Sequence, residues 1–219
     1  MEKNELYGRL LFELNFVDNQ DLANKKVLDL GCGSGWFEKS VKNSVKEIIG
    51  LDISKKAIEF SRKNISGNAR WMLGSALNIP LNNQTIDTIV SWDVLEHIEK
   101  GKEDIFFKQS FRVLKKRGCL YFGTPNDTFF GKLLDPAYLF GHRHYKKDVL
   151  YKLISNCGFS VEKEAVKGKW FELIGSIVFY ISKWIFGRGM MFENYFKTMQ
   201  NKEFKKNGFA GIFFKLRKL

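Results

Sequence analysis

A chain of 219 residues is the size of one domain, and 44% hydrophobic with 27% charged residues is a globular balance that excludes a disordered or fibrous chain. The formal charge of +12 is uneven: from Lys163 to Leu219 twelve Lys/Arg face four Asp/Glu, so that quarter carries +8 and the rest +4, which points to an anionic partner such as phospholipid or RNA, or simply to solubility, and says nothing of fold. Cys32, Cys119 and Cys157 lie far apart in no ligand pattern and read as thiols of a reducing compartment, and the mixed-charge opening "MEKNELYGRLLFELNF" does not read as a signal peptide, so a cytoplasmic protein is expected.

In chain order, Leu6, Leu10, Leu11 and Leu14 predict an opening amphipathic helix within a lead-in over 1–24. "KKVLDL" reads as a buried strand and "WFEKSVKNS" as the helix after it. "EIIGLDI" is a second strand, and Ser54 is placed to cap the helix "KKAIEFSRKN". "ARWML" and "TIDTIVSW" are the third and fourth strands, "DIFFKQSFRVLKK" a helix, and "GCLYFGTP" the fifth strand, closed by the turn signal Thr124-Pro125-Asn126. "KKDVLYKLISNCGF" is a helix ending near Gly158, and "FSVEKEAV" alternates as a strand. This alternation predicts an α/β three-layer sandwich around a mostly parallel sheet, with ligands at the crevice where strands one and four end side by side.

The loop "LGCGSGW" carries Gly31, Gly33 and Gly35 between a strand and a helix. Glycines let a ligand touch the backbone, and amides at a helix start favour a negative group. Seventeen residues beyond Gly35, Asp52 ends strand two, where a carboxylate can accept both hydroxyl protons of a ribose. A dinucleotide site wants a third small residue where this chain has Trp36, whose indole would crowd a pyrophosphate. A nucleoside ending in an amino-acid carboxylate is smaller; S-adenosylmethionine has that shape.

These segments resemble the class I S-adenosylmethionine-dependent methyltransferases. "VLDLGCGSG" with "GLDIS" is similar to their first two motifs, "GSALNIPL" to the third and "IDTIVSWDVLEHI" to the fourth. "FRVLKKRGCLYFGTPN" and "HRHYKKDVLYKLISNCGFSVEKE" resemble the subgroup that includes ubiquinone-biosynthesis and polysaccharide-associated methyltransferases, and "GFAGIFFKLRKL" the family's last strand. The resemblance implies one methyltransferase domain over 1–219, seven strands with the last antiparallel, and S-adenosylmethionine as cofactor. It implies that Gly31, Gly33 and Gly35 face the methionine end, Asp29 lies near its amino group, Asp52 holds the ribose and Ile53 packs on adenine. Ser75 and Ala76 would meet the adenine edge; the family usually has Asp before that alanine, and a hydroxyl there makes a weaker bond. Cys32 and Ser91 complete the expected cofactor set.

The acceptor is expected near the end of strand four and after strand five. His97 suits a general base at neutral pH, although a histidine near a helix start is as often a packing residue. Trp92, His142, His144 and Tyr145 are candidate acceptor contacts, and Arg143 could hold an anionic group. No metal is expected, because the His142/His144 pair has no carboxylate or cysteine at a supporting spacing. The stretch 127–145, with Phe129, Phe130, Tyr138 and Phe140, reads as a lid over the acceptor or as packing.

A hydrophobic and basic helical insert is expected over 168–207, before the last strand. From Trp170 to Phe186 only Glu172, Gly175, Ser176, Ser182 and Lys183 interrupt an apolar run. Seventeen residues reach roughly 25 Å as a helix, short of a ~30 Å hydrocarbon core. An in-plane helix on the inner face of a membrane fits this length, with Lys167, Lys169, Lys183 and Arg188 toward headgroups; a helix buried in a dimer or in the domain itself is the alternative. The function expected is methyl transfer to an oxygen or carbon of a small, lipid-linked or aromatic acceptor. Its rivals are RNA or protein methylation, against which no nucleic-acid-binding module is visible, and a non-catalytic, membrane-recruited scaffold.

Overall fold

The computed structural model of the chain describes residues 6–187 and 189–219, without the side chains of Leu139 and Phe140. The start of the expected lead-in at 1–5, the Phe140 side chain of the lid and the headgroup contact expected of Arg188 therefore lie outside the described residues. Among those described, β1 (Lys26–Leu30), β2 (Glu47–Asp52), β3 (Ala69–Leu73), β4 (Ile86–Trp92), β5 (Leu114–Pro125), β6 (Phe159–Lys167) and β7 (Gly211–Lys218) form one sheet in the order β3-β2-β1-β4-β5-β7-β6. All pairs among β1 to β5 are parallel, and β7 runs antiparallel between β5 and β6. This is the expected three-layer α/β sheet with its antiparallel last strand.

The alternation of side chains along the strands sorts the apolar residues onto two faces. Leu28, Leu30, Ile89, Leu120, Phe122 and Phe214 pack into one buried cluster. Val27, Ile48, Val90, Trp92, Tyr121 and Phe213 point the other way into a second, closed by Leu14 and Phe16. Two buried faces explain why the central strands read as continuous apolar runs.

The helices are α1 (Gly8–Phe16), α2 (Trp36–Val41), α3 (Lys55–Asn64), α4 (Glu103–Val113), α5 (Phe129–Leu133), α6 (Lys147–Asn156), α7 (Trp170–Phe186) and α8 (Glu193–Glu203). The Ser54 side chain accepts from Ala57 N at 3.3 Å, the cap expected of α3. The helix expected to run to Lys116 stops at Val113. Leu114 is fully buried opposite Ile86, and four residues, Lys115–Gly118, bulge out before the ladder resumes at Thr88–Cys119. Arg117 turns that bulge with φ +62°. The segment 127–145, expected as a lid, holds structure the sequence reading did not predict, α5 and a 3₁₀ turn at Pro136–Phe140.

The basic tail is less free than its composition suggests. Lys215 Nζ sits among Asp18, Asp21 and Glu162, Arg217 pairs with Glu162, and Lys163 reaches Asp18. Lys218 Nζ donates to Phe111 O and Leu114 O at 2.6 and 2.7 Å. These cations fasten β6 and β7 to the body rather than forming a single patch.

Candidate cofactor and acceptor site

The glycine loop is held by its neighbour strand before any ligand arrives. Gly31 N and Cys32 N both donate to Leu51 O, at 2.7 and 3.2 Å. Asp52 accepts from Gly33 N at 2.9 Å through Oδ2 and from Ser54 N at 2.7 Å through Oδ1. One carboxylate thus fixes both the glycine loop and the entry to α3. The glycines differ in what surrounds them. Gly35 has φ +75°, and a Cβ there would lie 2.5 Å from Ile65 Cδ1 and 2.7 Å from Trp71 Cη2. Gly33 has φ +50°, and a Cβ there would meet nothing within 4 Å. Gly35 is required by packing, whereas Gly33 leaves open space in front of the backbone.

A cavity of about 320 Å³ lies at the ends of β1, β2 and β4, lined by Gly31, Asp52, Ile53, Ser75, Ala76, Asp93, Val94 and His97 among others. Six of the sequence-predicted residues meet there. Ile53 is 80% exposed, an aliphatic side chain held out at the rim beside Asp52, suited to lie on a flat ring. Ser75 Oγ accepts from Leu77 N at 3.1 Å, so part of its acceptor capacity is already used in a local turn. Ser91, Trp92 and Tyr145 are not brought to the cavity wall, a correction to the expectation for all three. Ser91 Oγ donates to Leu30 O at 3.1 Å, Tyr145 Oη donates to Leu95 O at 2.9 Å, and Trp92 packs in the second core cluster.

Asp29 and Cys32 lie behind the wall, 3% and 2% exposed. Burial pushes the Cys32 thiol well up, which makes it inert. Asp29 faces Glu38 of α2, a residue the sequence reading overlooked. Gly50, which is paired with Asp29 in the sheet, makes room for it: a Cβ on Gly50 would lie 2.4 Å from Glu38 Oε1. Burial, then the neighbouring Glu38 and Asp52, holds the Asp29 carboxyl well above the usual range. Burial pushes Glu38 up to about 8. The loop therefore rests on two buried carboxyl groups whose hold on protons is raised.

Beside the cavity the histidines form a chain. His97 lines the cavity, and its ring lies 4.8 Å from that of His142. Burial, then His142, lowers the His97 pKa, leaving a neutral imidazole able to take a proton. Asp135 organises the other two: its Oδ2 lies 2.6 Å from His142 Nδ1 and 2.9 Å from His144 Nε2. Against the upward push of burial, hydrogen bonds from both histidines hold the Asp135 carboxyl well below the usual range. His144 Nδ1 lies 3.1 Å from Asn126 O, so both its nitrogens face acceptors and His144 serves the framework. Glu96 is fully buried: Oε2 accepts from Thr124 Oγ1 at 3.0 Å, while Oε1 lies 3.6 Å from His142 Nε2 with no hydrogen-bond donor. Glu96, His97 and His142 bring ligand-type atoms within 4.8 Å of one another, as do Asp135, His142 and His144. The sequence spacing had offered the histidines no supporting carboxylate; the fold supplies two, from segments seven and forty-six residues away. Arg143, expected at an anionic acceptor, is instead bonded to Glu103, Leu95 O and Ile98 O.

A second residue missed in the sequence is Arg9. Its guanidinium donates to Glu13 Oε1 at 2.9 Å, to Glu172 Oε1 at 2.7 Å and to Asp93 Oδ1, and stacks 5.0 Å over Phe213. Asp93, at φ +54°, lines the cavity. Arg9 thus ties the lead-in helix to the site and to the first turn of α7. No short motif marks it, because its three partners are scattered through the chain.

Residues 27–118 match the family described as "Methyltransferase domain". The chain is 29% identical over 112 residues to a ubiquinone biosynthesis O-methyltransferase of Pelagibacter ubique, covering 50% of this chain and 46% of that protein. It is 30% identical over 132 residues to a malonyl-[acyl-carrier protein] O-methyltransferase of Legionella pneumophila, covering 58% of this chain and 45% of the relative. The chain spans about half the length of such curated relatives. Among solved structures, an S-adenosylmethionine-dependent methyltransferase of Methanosarcina mazei superposes with TM-score 0.65 at 18% identity over 98% of both chains. The [4+2]-cyclase SpnF superposes with TM-score 0.67 at 16% identity, covering 98% of this chain and 84% of that one, so the fold by itself does not name a reaction. The sequence matches do so only by similarity: residues 27–118, under half of the chain, match a methyltransferase domain, and among the relatives are proteins described as S-adenosylmethionine-dependent methyltransferases.

Proposed function

We propose that the chain transfers the methyl group of S-adenosylmethionine to an oxygen or carbon of a small acceptor that is aromatic or lipid-linked. The observation that carries this reading is the shared cavity: Asp52, Ile53, Ser75 and Ala76 line it together with His97, which is backed by His142 and Asp135. S-adenosylmethionine supplies an activated methyl on a positively charged sulfur. The chain's own residues hold the nucleoside, exclude water and bring the acceptor into line. Where the acceptor must lose a proton, neutral His97 takes it, and the nearby carboxylates of Asp93 and Asp135 favour the charged imidazole. Gly33 and Asp29 then lie on the amino-acid side and Asp52 on the ribose side.

A lipid-linked acceptor is supported by the apolar surface around the lid and α7, and this reading sets the protein at the cytoplasmic face of a membrane as a peripheral enzyme. A homodimer is the competing use of the same surface. Among the described residues no helix is long and apolar enough to cross a membrane. The test is calorimetry with S-adenosylhomocysteine, followed by transfer of a labelled methyl group to a panel of phenols, prenylated phenols and glycolipids. Methylation of RNA or protein but of none of these would overturn the acceptor class. Cofactor binding without methylation of anything offered would favour a scaffold.

A further inference from the structure

The insert α7 buries two of its polar residues and leaves much of its apolar surface exposed. Its polar residues Glu172 and Ser182 are buried, Glu172 against Arg9, while Met191 N donates to Ser182 Oγ at 3.0 Å. Trp170, Ile174, Ile181, Trp184 and Ile185 recur at helical spacing, and are 43%, 41%, 39%, 65% and 70% exposed. Ile177, on the same stripe, lines a separate cavity of about 850 Å³ with Phe129, Leu133, Pro136 and Tyr138 of the lid. Asp135 is part of that lining too, and it is the residue that orients His142. An apolar groove therefore runs from the exposed stripe of α7 to the back of the histidine chain.

We infer that this groove holds the hydrocarbon chain of a bilayer lipid, and that the outer stripe of α7 seats the protein on an anionic membrane surface from which that lipid is drawn. The inference rests on the lipid-linked acceptor proposed above and assigns its tail a place. Charge selects the occupant. The cations of the last quarter that do not fasten β6 and β7 are concentrated on the α7–α8 pair: Lys183 in the last turn of α7, and Lys202, Lys205 and Lys206 at the other end of the pair, where Glu203 accepts from Lys169 N and Phe171 N. Cations at both ends of an exposed aromatic and aliphatic stripe suit anionic headgroups above a hydrocarbon layer, and the tryptophans suit its interface. At about 25 Å the helix lies in that layer rather than across it.

The test uses the full chain and vesicles of phosphatidylcholine with or without one-third phosphatidylglycerol. Flotation should recover the wild type with the anionic vesicles and about tenfold less with neutral ones. Trp184→Glu with Ile185→Glu should lose at least tenfold in vesicle binding. In the groove, Leu133→Trp should leave vesicle binding in place while abolishing binding of the fluorescent fatty acid cis-parinarate, which wild type should bind. S-adenosylhomocysteine affinity, measured on every variant, should stay within about twofold and reports that each is folded. Equal flotation of wild type and the double variant, or failure of wild type to bind parinarate, overturns the inference. So does a wild-type dimer in solution that Trp184→Glu converts to monomer, because the stripe is then a dimer face. Loss of S-adenosylhomocysteine binding by the wild type would instead bring down the proposed function itself.

Discussion

Two glycines of one loop should respond to the same substitution in opposite ways. Alanine in the left-handed region costs about 1–2 kcal/mol wherever it is placed. At Gly33 that is the whole cost, because no atom lies within 4 Å of the added methyl. At Gly35 the methyl would lie 2.5 Å from Ile65 Cδ1 and 2.7 Å from the Trp71 ring, adding about 1–3 kcal/mol of overpacking. In a domain of this size each kcal/mol moves the melting midpoint by about 2–4 °C. Gly33→Ala should therefore melt about 2–8 °C below wild type, and Gly35→Ala about 4–20 °C below. Binding should rank the other way. On the proposed reading the methyl on Gly33 would enter the space taken by the amino-acid end of the cofactor, so S-adenosylhomocysteine affinity should fall tenfold or more, about 1.4 kcal/mol. Gly35→Ala, assayed well below its midpoint, should lose much less. Calorimetry at 15 °C with parallel melting curves separates the two effects. If Gly33→Ala binds S-adenosylhomocysteine as wild type does, the cofactor does not approach that backbone and the assignment of the loop fails.

Asp52→Asn keeps the shape but removes the charge from a group bonded to Gly33 N and Ser54 N, and S-adenosylhomocysteine should bind about 10–100-fold more weakly; unchanged affinity rejects the ribose role. Arg9→Ala removes the shared cation of Glu13, Glu172 and Asp93 and should cost about 3–5 kcal/mol of stability, read as a fall in melting midpoint of about 10 °C; a shift under about 2 °C would show that the lead-in helix is not held this way. Glu38 binds its proton up to about 8 in the folded chain and releases it near 4.5 when unfolded. The folded state therefore holds the extra proton between those values, so the stabilisation is complete below about 4.5 and is lost as pH rises toward 8. The urea midpoint of the ligand-free chain should fall from pH 5 to pH 8, and Glu38→Gln, which stays neutral, should flatten that slope; an equal slope in both chains contradicts the buried proton.

The order of strands was readable because each element carries its own period and its own stop: Ser54 at a helix start, Pro125 at a strand end, glycine between strand and helix. That Asp52, Ile53, Ser75 and Ala76 line one cavity follows from their places just past the ends of strands, which the topology brings together regardless of the intervening loops. What stayed hidden depends on tertiary juxtaposition. Glu172 reads as a solvent-facing charge on a greasy helix, and becomes a buried acid only because Arg9, 163 residues earlier, reaches it. Asp135 reads as a turn residue before proline, and becomes the hinge of the histidine pair once the lid folds back. The start of β5 at Leu114 was hidden for a different reason. "VLKK" is good helix sequence, and the ladder wins only because Leu114 finds a buried place opposite Ile86.

The protons stored under the glycine loop also bear on binding. Asp29 and Glu38 are held neutral chiefly by burial, and a neutral pair is what an empty site tolerates. A cation seated on the loop, as the ammonium of the cofactor would be, stabilises the ionised pair and lowers its affinity for protons. Cofactor binding should then release protons and tighten as pH rises from about 6 to about 8, while the stability of the ligand-free chain falls over the same range. Calorimetry in two buffers of different ionisation enthalpy measures that release directly. The two trends have one origin, so Glu38→Gln should weaken both together. A variant that loses the stability slope yet keeps the full pH dependence of binding would mean that the cofactor's amino group is met elsewhere, by Asp93 or Asp52 rather than by the buried pair.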